Sequence, residues 1–106
     1  MRDKGNAMHD DVKKIDRRFA KRFPARQWWL RPALAEERQT QFRGRSEQGW
    51  HACVAVGRSG GKFMSLPFFA SSPDVADIDD DDAALTAANV ADTLMDGAMP
   101  YITIRR

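Results

Sequence analysis

The stretch WHACVAVGRSGGKFMSLPFF, Trp50 to Phe69, constrains the fold more than any other part of the chain. Trp50, Ala52, Val54 and Val56 alternate with His51, Cys53 and Ala55. Met64, Leu66 and Phe68 then alternate with Phe63, Ser65 and Pro67. Two period-two runs joined by GRSGG specify a β-hairpin. Pro67 has no N–H for a strand ladder, so the second strand should end there or lie at a sheet edge.

Other elements are placed around this hairpin. Apolar residues at Met8, Val12, Ile15, Phe19 and Phe23 recur every three or four positions, the spacing of one helix face. Asp10 and Asp11 fall near the expected start, and Lys21 and Arg22 near the end, both favourable to the helix dipole. Pro24 stops the helix. Its opposite face carries Lys13, Lys14, Arg17, Arg18 and Lys21. The stretch RQWWLR, Arg26 to Arg31, is aromatic and alternating and is expected to form a strand. Trp28 and Leu30 then share one face, and Gln27, Trp29 and Arg31 the other. Trp28 is assigned to the core. Trp29 falls on the polar face beside Arg31, or under a second layer.

Pro32 is placed in the first turn of a short helix reaching about Gln41. RGRSEQG, Arg43 to Gly49, is a loop. ASSPDVADIDDDD, Ala70 to Asp82, leads into a last helix with an acidic first turn, Asp79 to Asp82, and Gly97 just past its end. Its inward stripe is expected at Ala84, Ala87, Ala88, Ala91, Leu94 and Met95. YITI, from Tyr101, is a candidate final strand. The result is an α+β fold: a two-layer domain with a three- to four-stranded antiparallel sheet and two main helices. Residues 1–7 are expected to be a flexible start, and residues 8–106 a single domain.

Charge is distributed unevenly. Residues 1–62 hold 15 of the 17 Lys and Arg against 7 acidic residues, a net of +8. Residues 63–104 hold no basic residue and 8 aspartates, a net of −8. Such polarity serves either an internal match or a basic face aimed at an acidic partner. No apolar run approaches the ~20 residues of a membrane helix, and the start is polar, without the apolar stretch of a secretory signal. The lone Cys53 forms no internal disulfide, so a cytoplasmic location is the expectation.

Motifs for chemistry are sparse. GRSGGK, Gly57 to Lys62, is one residue short of a phosphate loop and joins two strands rather than a strand and a helix. His51 and Cys53 share one face of a strand, yet His9 is the sole other histidine and no second cysteine exists to complete a metal site. Asp79 to Asp82 lack calcium-loop spacing. No catalytic residues, metal ligands or cofactors are assigned, and the chain is read as non-enzymatic.

FAKRFPARQWWLRPALAE, beginning at Phe19, followed by GWHACVAV, resembles small uncharacterised proteins encoded on bacterial plasmids and phages. That resemblance covers about half the chain. It implies a mobile-element accessory role; some proteins of that size and origin are anti-CRISPR or other anti-defence inhibitors. The small net charge departs from inhibitors that mimic DNA. The expected function is docking onto a host protein or ribonucleoprotein complex, with direct DNA or RNA binding as the alternative. The expected contact residues are Lys14, Arg17, Arg18, Lys21, Arg22, Arg26, Trp29 and Arg31. A solvated basic face, matched by the aspartates of residues 74–96, is the competing reading. An exposed edge at YITI would favour a homodimer.

Overall fold

A computed structural model describes residues 4–105, with side chains from Val12 onward except that of Ser59. The first helix, α1, spans Lys4–Arg22. It begins four residues ahead of the expected start at Met8, so part of the expected flexible segment is helical; residues 1–3 lie outside the described residues. Asp10 and Asp11 therefore fall beyond the first turn, while Lys21 and Arg22 occupy the last turn as expected.

Strand β1 spans Trp28–Pro32, and β2 (His51–Ser59) and β3 (Lys62–Ala70) form the hairpin. Gly60 and Gly61 make its two-residue turn, with φ of +57° and +77°, and the flanking pair is Ser59 opposite Lys62. Two successive positive φ values match the twist of the strands, and glycine adopts them without steric cost. The stretch that resembled a phosphate loop is thus a hairpin tip. A two-residue β4, Tyr101–Ile102, pairs with Phe69 and Ala70. Strand order is β1-β2-β3-β4. The fold is α+β, and the sheet is mixed: β4 runs parallel to β3, because α3 (Asp80–Met95) carries the chain back between them. Tyr101 and Ile102 complete this chain's own sheet rather than waiting for a second copy. Pro67 lies inside β3, which continues to Ala70, and sits on its outer side before β4 begins.

Helices cover both faces of the sheet, whereas a two-layer arrangement was expected. Leu30, Cys53, Ala55, Phe68 and Ala70 on one face meet Ala83, Ala87 and Val90 of α3. Trp29, Val54, Val56 and Phe69 on the other meet Phe42, with Phe19 and Ala20 of α1 packed against them. Alternation along each strand sends the two sets to opposite sides. The buried stripe of α3 is Ala83, Thr86, Ala87 and Val90; of the expected stripe, Ala87 is buried and Leu94 packs against the same core. Ala84 and Ala88 are exposed, as is Met95. Val90, which buries more apolar area than an alanine, lies in this stripe.

Both ends of α3 follow local rules. Asp79 Oδ1 accepts from the Asp82 N–H at 2.9 Å, capping the first turn. Gly97, at φ +83°, donates to the Leu94 carbonyl at 2.9 Å, and Ala98 donates to that of Thr93 at 3.3 Å, closing the last turn. The short helix α2 spans Ala35–Thr40, later than expected, because Pro32 ends β1 instead of opening the helix. Glu37 Oε1 accepts from the Leu34 N–H at 3.0 Å at its start.

Gly57 lies directly against a tryptophan ring. It stands opposite Trp28, and a Cβ there would lie 2.6 Å from the indole ring. Gly57→Ala is therefore expected to cost ~1–3 kcal/mol through displacement of a packed ring. A urea melt with a lowered midpoint and an unchanged slope checks this; an unchanged midpoint would show that the indole moves aside freely.

Candidate functional site: a cationic face on the first helix

The eight expected contact residues separate into two groups. Lys14, Arg17, Arg18, Lys21 and Arg22 are all exposed on α1, together with Lys13. Arg26 is half-buried just beyond the helix, its guanidinium 4.4 Å from the Phe23 ring centroid, with Arg22 at 5.2 Å from the same ring. Trp29 and Arg31 are 0% and 2% exposed and are withdrawn as contact residues.

The physical reason is the helix above them. Period two did put Trp29 and Arg31 on a common face, but α1 and α2 cover that face. Trp29 meets Phe63 edge-on, with ring centroids 6.0 Å apart and planes at 79°. Arg31 is an internal cation. Its Nε donates to Asp16 Oδ1 at 2.8 Å, and its terminal nitrogens donate to the two Glu37 carboxylate oxygens at 2.7 and 3.0 Å. Asp16 and Glu37 are each 4% exposed. A planar guanidinium with five donors is the side chain able to bridge two carboxylates in this way. Burial pushes the Asp16 carboxyl above its ordinary value, against the lowering by its bond to Arg31. Burial alone would lower the Arg31 value, but its bonds to Glu37 and Asp16 outweigh that and raise it. The triad ties α1, β1 and α2 together beneath the exposed cations.

Among the described residues, none of Lys13, Lys14, Arg17, Arg18, Lys21 or Arg22 forms an ion pair. The aspartates of α3 sit across the sheet, since α3 packs on the face opposite α1.

A depression of about 550 Å³ lies where α1 meets the hairpin tip. Arg17 and Lys21 of the helix line it together with Arg58, Lys62 and Phe63 of the hairpin, and Pro24 lines it too. Arg58 donates to the Ala20 carbonyl at 3.2 Å and places its guanidinium 5.4 Å from the Trp29 ring centroid, which holds it against the helix. Arg58, Lys62 and Phe63 were not among the expected contacts. Their sequence signal was position alone, beside a turn whose side of the sheet depends on where α1 packs.

Other candidates for chemistry fall away. Cys53 is completely buried, and burial pushes its thiol up to about 12, so a reactive thiolate is not available at neutral pH. His51, two residues before it, is exposed. Among the described residues, no group of three or more His, Cys, Asp or Glu is placed to hold a metal ion. Among the described helices, none is long and apolar enough to cross a membrane. No protein-family model, curated protein or solved structure matches this chain.

Proposed function

We propose that this protein is a non-enzymatic binding module whose α1 face contacts the phosphates of a nucleic acid. The observation that carries this reading is the exposed row Lys13, Lys14, Arg17, Arg18, Lys21 and Arg22, none of which pairs with a carboxylate among the described residues. Holding like charges together on one helix is unfavourable unless a polyanion neutralises them. A protein-docking surface would be expected to centre on a buried-on-binding aromatic anchor. Trp29, the residue expected in that role, already belongs to the core. An accessory protein of a mobile element, including an anti-CRISPR or other anti-defence inhibitor, would use such a face to occlude a host nucleic-acid complex.

Fluorescence anisotropy with labelled oligonucleotides tests this. Six phosphate contacts predict a loss of about 10³-fold in duplex affinity between about 50 and 200 mM salt. Lys14→Ala with Arg18→Ala should reduce the slope of log K against log salt by about 2 without changing thermal stability. Absence of binding to any oligonucleotide at low salt, or affinity independent of salt, would refute the reading and favour docking onto a protein.

A further inference from the structure

The row of cations on α1 explains attraction to any polyanion. The depression beside it has features that a general cationic surface does not need. Basic residues of two elements line it: Arg17 and Lys21 of the helix, Arg58 and Lys62 of the hairpin. Among the described residues, no carboxylate lines it. A second depression, of about 520 Å³, continues from it past Lys13 and shares Arg17, Lys62 and Phe63. Among the described residues, the carboxylate in that second stretch is Asp16, which is buried and already bonded to Arg31. The seam between α1 and the hairpin is therefore an open groove lined by cations from both elements, with Phe63 on its hairpin side. Each depression falls within the ~300–1,000 Å³ of clefts that hold a group of small-molecule size.

A duplex is a convex rod with its bases stacked inside. It can lie across the exposed ridge but cannot enter a seam between a helix and a hairpin tip. A single strand is narrow and flexible, and it presents unstacked bases. It can run its phosphates between the two elements and lay a base against the Phe63 ring. A charged groove that tracks the backbone, with aromatic rings for the bases, is the general means of holding single strands without reading sequence. The groove is also held in shape before any ligand arrives. Arg58 is fixed against α1 by its bond to Ala20, which uses one of its five N–H groups. Phe63 is held edge-on against the buried Trp29.

We propose that the seam between α1 and the β2–β3 tip is a binding site for single-stranded nucleic acid, with Arg17, Lys21, Arg58 and Lys62 on the phosphates and Phe63 against a base. This rests on the nucleic-acid reading above and narrows it to one kind of strand and one place. The test is anisotropy with an end-labelled oligothymidine of about 12 nucleotides and a duplex of the same length, at about 50 mM salt. The single strand is expected to bind at least about tenfold tighter than the duplex. Lys62→Ala, an exposed change at the hairpin tip, should weaken the single strand at least about threefold and the duplex less. Phe63→Leu keeps apolar packing against Trp29 but removes the ring, and should weaken the single strand about fivefold or more with its salt slope unchanged. If Phe63→Leu does not fold, the Lys62→Ala comparison and the strand preference decide the matter. Equal or tighter duplex binding would overturn the inference and leave the general reading standing. No binding of either oligonucleotide would overturn both. Displacement of the strand by an oligoglutamate as effective as unlabelled oligothymidine would also overturn it, since it would show that bases contribute nothing.

Discussion

Replacing Arg31 by alanine is expected to remove ~3–5 kcal/mol of stability, because it leaves two carboxylates buried without their counter-charge. A domain of this size holds ~5–15 kcal/mol in total, so the loss is large. The geometry explains why no neighbour can compensate. Asp16 comes from α1 and Glu37 from α2, and both are oriented by bonds to the same guanidinium at 2.7 to 3.0 Å. Arg31→Lys should recover little, since an ammonium cannot present paired donors to two carboxylates at once. Asp16→Asn should behave differently. It leaves the two-point contact between Arg31 and Glu37 intact and removes a charge whose burial is unfavourable. Its stability at neutral pH should stay within about 1 kcal/mol of the parent.

The pH dependence follows from the raised value of Asp16. In the folded state its proton is held more tightly than in the unfolded chain. Its contribution is therefore fully present below the unfolded carboxyl range and is lost as pH rises through the higher folded value. Asp16→Asn should remove that decline, flattening the acid side of a stability profile measured by urea melts. A variant profile that still follows the parent's would show that the triad does not titrate through Asp16. An Arg31→Ala protein as stable as the parent would mean that water reaches both carboxylates.

How far the sequence disclosed this arrangement depends on how local each signal is. The hairpin was legible because alternation and a Gly-Gly turn are properties of neighbouring residues. The first helix was legible from Val12 to Phe23 for the same reason, at period 3.6. The second covered face of the sheet had a signal too. Ala52 to Val56 is apolar at every position, the mark of a strand buried on both sides. Alternation within that run drew attention to one face alone. The burial of Arg31 had no local signal, since it depends on carboxylates 15 and 6 positions away on two other elements. The rotation of α3 was ambiguous because its alanines spread over a continuous arc, one side of which is buried and the other exposed. The seam needed both the helix face and the hairpin tip in place. Arg58 and Lys62, read alone, are ordinary residues flanking a turn.

Trp29→Ala is expected to cost ~3–5 kcal/mol, the range for deleting a large buried aromatic side chain. The indole is fully buried among Phe42, Val54, Val56 and Phe69, with Phe19 of α1 and Phe63 of the hairpin against it. Emptying that space would leave a void beneath α1 that the strands, held in register with β2, cannot close by sliding. Trp29→Phe keeps a ring in the same place and should lose much less. The decisive comparison is between stability and binding. A surface anchor would lose affinity with its stability unchanged. A core residue loses stability, while the protein that remains folded keeps its salt slope, because Lys13, Lys14, Arg17 and Arg18 still face solvent. Urea melts and anisotropy on the same preparation separate the two. A Trp29→Ala protein with the parent's melting midpoint and no nucleic-acid binding would mean that α1 lifts from the sheet to expose the indole, and that the buried aromatic belongs to the contact surface after all.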